Sequence, residues 1–499
     1  MKNKTFEIFL IILLLDISIV AISFIPGIII PLPGNDRLKI KVIDYTTLFD
    51  FRYKDNNRTA DSLINKYLSN DSLNYGKLHR TSLSALRPKI ENEFLVNPEN
   101  NGSYALDDFF QALLEEKDKN VVRIAHYGDS QLEGDRITCY IRADFQNKFG
   151  GCGVGFIPFD DIANNVNLIR HSSPNWIRYT VFHNRYGGGY YGLSGNVYKF
   201  SKYAFVKNKN DSLDNNGADS SPAKTSKKQV AFHNATVCIT LSPGIKYSNA
   251  SLMYGRSSAK CLVNVYNMAN NEKIIADSLN PAESFTLHKL DFPSPVRSFK
   301  MEFSGDASPD FYGLLIDGKN GVQVDNYAIR GHSGDGLLLM NPEYLAKQLQ
   351  KLNVRLVIFQ YGDNVVPYVN SDKKCEQMEK MYFSIFTRFK NIAPDISILV
   401  IGAGDMAAMR DGEYISYRYL PKIRDAQKRA AFKARCAFWD IFEVMGGSNS
   451  ILVWTKEGLA SHDGHFSNKG QKLIGKELFD ALMVEYNQYQ FRQRKKINL

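Results

Sequence analysis

Four strand-like stretches of this sequence, three of them apolar almost without a break, alternate with segments of helical pattern, which leaves few folds open. They are GVQVDNYAI (321–329), VRLVIFQ (354–360), ISILVIG (396–402) and AFWDIF (437–442). A strand with no polar face must be covered on both sides, so the pattern predicts a parallel sheet with helices on each face. The intervening helices are expected at NPEYLAKQLQKL (341–352), across 371–391, near 415–435 and from about 468. Asn341 serves as a cap there and Pro342 takes the first helical position. A fifth strand, 121–127, apolar mainly from Val121 to Ala125, stands far upstream, behind the helix-patterned ALDDFFQALLEEKDK (105–119). It needs the same sheet. From about 155 to 316 the pattern is different: WIRYTVF, NVYKFSKYAF, QVAFHNATVCITL and CLVNVYN are short aromatic and β-branched runs separated by turn residues. That spacing predicts a β-sandwich, inserted within an α/β domain.

The implied organisation is an apolar N-terminal segment (1–32), a polar stalk and lead-in (33–104), and the α/β domain in two parts (105–154 and 319–490). The β-rich insertion (155–318) separates those parts, and a basic tail (491–499) ends the chain. Between Ile8 and Leu32 the only formal charge is Asp16, with Lys2 and Lys4 ahead of it. Such a segment is long enough to cross a bilayer with its basic flank in the cytoplasm. It predicts an uncleaved anchor, a cleaved signal peptide being the alternative; either puts the body on the periplasmic or extracytoplasmic face. The low-complexity loop 207–228 has too little apolar content to build a core. The formal charge of +10 is dispersed, with RQRKK (492–496) the one basic cluster, and no nucleic-acid motif accompanies it. Six cysteines show no metal-ligand spacing. Free thiols are the expectation, with a Cys238–Cys261 bridge across neighbouring strands as the alternative.

Chemistry enters at RIAHYGDSQLEGDRIT (123–138). A strand that turns sharply into a helix can present a serine hydroxyl beside free backbone N–H groups, which suits a nucleophile; an ordinary βα turn with a serine cap is the plain alternative. Three later segments end strands of the same sheet, where open α/β folds place their ligands. In RGHSGDG (330–336), Gly334 can turn its N–H toward an oxyanion. In QYGDN (360–364), Asn364 can offer its side-chain amide. In SHDGHFSNKGQ (461–471), His465 can take a proton from Ser130 while Asp463 holds the imidazole tautomer.

Gly-Asp-Ser, a glycine loop, Gly-x-Asn and an Asp/His pair before the last helix, in this order, resemble the four blocks of the SGNH/GDSL hydrolases. The resemblance implies a flavodoxin-like three-layer α/β/α fold with Ser130 as nucleophile and His465 as base. It also implies an oxyanion hole built from the N–H groups of Ser130 and Gly334 and the amide of Asn364. Two positions depart from the pattern. The family's last block reads Asp-x-x-His, whereas Asp463 and His465 are one residue apart, and His462 stands in the usual aspartate's place. A triad through Asp463, with the spacing of alginate-type O-acetyltransferases, and a Ser–His dyad oriented by a backbone carbonyl are both open. Val365 follows Asn364 where the family usually has aspartate.

GDSQLEGDRIT, FGGCGVGFIP (149–158), FYGLLID, AFWDIFEVMGG (437–447) and HFSNKG look like the cell-envelope branch of peptidoglycan O-acetylesterases and O-acetyltransferases. Members of that branch can carry a carbohydrate-binding-module-like sandwich between the first two blocks. The expected function is therefore a membrane-tethered serine esterase acting on O-acetyl groups of an envelope glycan, peptidoglycan being the candidate, with no cofactor and no metal. The alternatives are an O-acetyltransferase served by a membrane partner that exports acyl groups, a catalytically inactive glycan-binding protein, and a nonspecific lipase. No long apolar lid segment accompanies the last.

Overall fold

The apolar runs collect into one parallel sheet. Its strands are β1 (Val121–Gly128), β2 (Gly321–Ala328), β3 (Val354–Gln360), β4 (Ser397–Ile401) and β5 (Ala437–Trp439), in the order β2-β1-β3-β4-β5. The computed structural model that shows this describes residues 28–31, 37–40, 89–92, 94–95, 103–207 and 227–497. Two units divide the chain, Met1–Thr81 and Ser82–Leu499; of the first, only a hairpin of Ile28–Pro31 with Arg37–Ile40 is described.

Helices are α1 (Asp107–Glu115), α2 (Thr138–Phe149), α3 (Pro342–Lys351), α4 (Asp372–Ile392), α5 (Leu420–Lys433), α6 (Ile441–Met445), α7 (Ser450–Lys456) and α8 (Asn468–Ile497). Alternate strand residues point to opposite helix layers. Val122, Ile124, Leu356, Ile358 and Trp439 share a buried core with α1, α2 and α8. Tyr127, Val357, Phe359, Val400 and Phe438 share another with α3, α4 and α5. With both faces covered, β3 and β4 are apolar at both parities, hence their nearly uninterrupted runs, while β1 and β2 bury Arg123, His126, Gln323 and Asp325 with hydrogen-bonding partners. The cap predicted at α3 forms: Asn341 Oδ1 accepts the Tyr344 N–H at 2.9 Å. The sheet order reverses between β1 and β3, and Ser130 lies just beyond β1, at the switch point.

The insertion forms two antiparallel sheets that share a buried core. Val237, Ile239, Val263, Met301 and Phe303 come from one; Leu252, Tyr254, Phe311, Leu314 and Ile316 come from the other. The second sheet also buries its opposite face. Phe156, Met253, Tyr312 and Leu315 join the core that holds Tyr127 and Phe359. That explains FYGLLID: Asp310–Ile316 is buried at every position. Polar ties reinforce the seam. The buried Arg123 of β1 reaches Asp325 at 2.8 Å and Asp317 at 2.5 Å, and Asp325 accepts the Phe156 N–H at 3.0 Å. The insertion and the α/β layers accordingly form one packed body.

Several expectations change. Cys238 and Cys261 are not on neighbouring strands, because Ser298–Ser304 lies between their two strands, and all six cysteines are free thiols. The helix expected near 415–435 begins only at Leu420. Ahead of it Ala407–Arg410 and Glu413–Ser416 form a hairpin. Asp411 and Gly412 both take positive φ (50° and 86°), which such a turn requires. Part of the lead-in also contributes to the fold, since Glu91 bridges antiparallel to Phe438 and covers the β5 edge. α8 continues through Ile497, so the basic cluster is the end of a helix, with Arg492 paired to Asp107. The N-terminal reading falls mostly on 1–27, outside the described residues, while its last part, Ile28–Pro31, is a hairpin strand. Among the described residues no helix is long and apolar enough to cross a membrane. The low-complexity loop joins the paired strands Tyr203–Lys207 and Lys227–Ala231; its residues 208–226 lie outside the described set.

Candidate active site

At the end of β1 the chain is pressed against β3; a Cβ on Gly128 would come within 2.8 Å of the Gln360 carbonyl oxygen. Asp129 turns inward and is buried, its carboxylate accepting the Gln131 N–H at 3.0 Å and the Asn364 Nδ2–H at 2.8 Å. This turn leaves Ser130 at the surface of the switch point. Its Oγ lies 2.8 Å from His465 Nε2, and His465 Nδ1 lies 3.0 Å from Asp463 Oδ2.

The short Asp-x-His spacing closes because the loop folds back on itself. The Ser461 N–H donates to the His465 carbonyl at 2.9 Å and the Gly464 N–H to the Ser461 carbonyl at 3.0 Å. Both side chains then meet on one side of the turn. Burial pushes the Asp463 carboxyl up, but hydrogen bonds from the Ser461 hydroxyl and the His465 N–H outweigh it and hold Asp463 below its ordinary range. His462 stacks on Tyr414 of the hairpin with ring centroids 3.6 Å apart. Its carbonyl accepts the Ala407 N–H at 2.7 Å, so this position anchors the loop.

Gly334 adopts φ +97°, a left-handed conformation that favours glycine. Among the described residues neither its N–H nor that of Ser130 donates to a protein acceptor. Asn364 Nδ2 sits between Asp129 Oδ2 and, at 3.3 Å, the His332 carbonyl. Thus Ser130, Asp463 and His465 come together as a connected chain, with Asn364 tied to the neighbouring Asp129. Among the described residues no group of three or more His, Cys, Asp or Glu is arranged to hold a metal.

Two positioning residues were not singled out in the sequence. Gln131, buried, donates from Nε2 to Asp363 Oδ2 at 2.7 Å and to the Gly464 carbonyl at 2.8 Å, while its Oε1 accepts the Phe466 N–H at 3.4 Å. It couples the serine turn to the histidine loop, 333 positions away. Asp363, which it holds, is half-buried, and desolvation there raises its pKa. His332 is fully buried beneath the glycine loop, and its Nε2 accepts the Gly336 N–H at 3.0 Å. Burial lowers its pKa to about 4, which keeps this acceptor available near neutrality. Adjacency to Ser130 and the His in RGHSGDG were the only local signals.

No protein-family model matches this sequence, and no curated protein does. Among solved structures, a peptidoglycan O-acetylesterase superposes with a TM-score of 0.55 at 20% identity, over 77% of this chain and 96% of that one. The chain has the fold of the SGNH hydrolases. Two further structures superpose at lower scores. An acetyl xylan esterase gives 0.26 at 14% identity over 32% of this chain and 81% of that one. A family two carbohydrate esterase from Clostridium thermocellum, in complex with cellohexaose, gives 0.26 at 12% identity over 52% and 94%. Scores this low add nothing to the assignment. Within the SGNH fold, the four blocks read from the sequence all lie at the C-terminal edge of the parallel sheet.

Proposed function

We propose that the protein is a serine esterase of the cell envelope that removes O-acetyl groups from a glycan, with peptidoglycan the leading substrate. The observation that carries this reading is the continuous path from Ser130 Oγ to His465 Nε2 to Asp463 at 2.8 and 3.0 Å. Ser130 attacks the acetyl carbonyl as its proton passes to His465 Nε2, and Asp463 keeps Nδ1 the protonated nitrogen. The developing oxyanion takes hydrogen bonds from the N–H groups of Ser130 and Gly334, each donor worth about 2.7–4 kcal/mol of barrier. Asn364 supplies a third: its 3.3 Å contact to a neutral carbonyl is long, and an anionic oxygen is the stronger acceptor. Collapse releases the sugar oxygen, which takes the proton from His465. Water then adds to the acetyl-serine with His465 again as base, and acetate leaves.

The glycan rests on the likeness to a peptidoglycan O-acetylesterase and on the insertion, which we read as a carbohydrate-binding-module-like sandwich. Extracytoplasmic location and an N-terminal tether rest on the sequence from Ile8 to Leu32; membrane fractionation with and without residues 1–32 tests them. For the reaction, the purified protein is incubated with O-acetylated peptidoglycan and a free sugar acceptor. Acetate should appear in solution. Transfer of acetyl to the acceptor in preference to water would overturn the esterase reading.

The coupling through Gln131 makes a separate prediction. Gln131→Ala should lower kcat on a small acetyl ester by about 10²-fold with little change in KM, because the histidine loop loses its register with Ser130. Leaving buried partners unpaired should also cost about 1–3 kcal/mol of stability, measurable by denaturant unfolding. A stability loss with unchanged kcat would reduce Gln131 to a structural role.

A further inference from the structure

Beyond the catalytic path, a polar crevice opens between the turn that follows Ser130 and the insertion. Gly134, Asp135, Asp161, Arg170, Arg178 and Asn326 contribute to its lining. Arg170 is the unusual member. It lies in the strand Leu168–Ser172, opposite Ile239, at the edge of the five-stranded sheet. Leu168, two residues earlier on the same face, is part of the sandwich core, whereas Ile169 and His171 are exposed on the other face. Arg170 therefore starts from a core-facing position and is half-buried. The neighbouring charges are matched. Asp135 is held by both Arg142 nitrogens at 2.7 Å, and Asp161 pairs with Arg178 at 3.0 Å. Among the described residues, no carboxylate pairs with Arg170.

We propose that this crevice is an anion subsite in which Arg170 receives a carboxylate carried by the glycan substrate. A guanidinium that has given up part of its hydration without gaining a protein anion favours a carboxylate, whose two oxygens match its planar fork. The location fits a substrate that is crossing Ser130. Ala328 lines the crevice and pairs with Gly128, two residues before the serine. Gly134, four residues after it, is tied to the insertion by the Val166 N–H at 2.9 Å. The histidine loop approaches from the other side, through Gln131 and the Asp363 turn beyond β3. A glycan whose acetyl group sits between Ser130 and His465 can thus extend into the crevice. The carboxylate belongs either to a lactyl ether on a sugar or to a uronate ring. This subsite rests on the esterase reading above.

The test measures binding by calorimetry to the full chain carrying Ser130→Ala, which holds substrate without turnover. The ligands are an O-acetylated muramic-acid oligosaccharide (lactyl carboxylate), an O-acetylated uronate oligosaccharide, the carboxamide of each, and a neutral O-acetylated xylo-oligosaccharide. One acid should bind at least tenfold more tightly than its own carboxamide, and which acid does so identifies the source. Arg170→Gln in the same background should abolish that difference and leave the neutral ligand unchanged, while Arg170→Lys should keep part of it. Equal binding of acid and carboxamide, including no binding of either acid, overturns the proposal; so does a difference that survives Arg170→Gln in a variant with wild-type thermal unfolding. The acid–carboxamide comparison needs no change at position 170, so a folding defect there does not obscure the answer. Failure of the esterase reading would show separately, as no acetate released from 4-nitrophenyl acetate by the wild-type chain.

Discussion

Ser130→Ala is expected to reduce hydrolysis of a small acetyl ester by at least ~10⁴-fold, with the fold unchanged. Without Oγ there is no acyl-enzyme, and only the oxyanion donors and His465-assisted water attack remain; such residual activity in serine hydrolases is small. The substitution removes one hydroxyl from a partly exposed position, so it leaves neither a cavity nor an unpaired buried group. Thermal unfolding should stay within ~0.5 kcal/mol of wild type. The two measurements together decide the assignment. A Ser130→Ala protein that kept more than a few percent of activity would exclude the serine mechanism.

His465→Ala should cost at least ~10³-fold, since the proton acceptor is lost. Asp463→Asn is expected to cost about 10²-fold, less than the ~10⁴ found where the corresponding aspartate is buried. The reason lies in exposure: the Asp463 side chain is 65% exposed and that of His465 42%, so water can partly replace the carboxylate in orienting the ring. A loss below tenfold, about 1.4 kcal/mol of barrier, would instead favour a Ser–His dyad. The pH dependence adds a check. Because the Asp463 carboxyl is held below its ordinary range, its contribution to orientation and stability is present above the unfolded value of ~3.9. It is lost only as pH falls through the lower folded value. In denaturant unfolding, the stability that Asp463→Asn removes should therefore fall away only below about pH 4; its loss already between about pH 5 and 6 would contradict the depressed carboxyl.

What the sequence by itself determined are the features written in local pattern. Runs such as VRLVIFQ, apolar at both parities, demand cover on two faces, and that alone implied the parallel sheet and its helix layers. The grouping of Ser130, Asp463 and His465 was legible because each ends a strand or precedes a helix at the same edge of the sheet. The hairpin at 407–416 was missed: Asp411-Gly412 carries its turn signal, but its exposed residues follow no strong alternation and the neighbouring helix pattern masked it.

Tertiary structure decided the rest, because the partners are far apart in the chain and no periodicity links them. Asp-x-His closes only through the backbone bonds of the 461–465 turn, which set both side chains on one side. Gln131 finds Gly464 only once β1 and the last loop share the edge of one sheet. The largest difference is the insertion. A sandwich exposed on both outer faces should show polar alternation on every strand, and Asp310–Ile316 does not. That strand is apolar at both parities because one face builds the sandwich core and the other completes the core beneath β1 and β3. Which surface covers a second buried face is settled by packing among distant segments, and local sequence carries only the demand that something must.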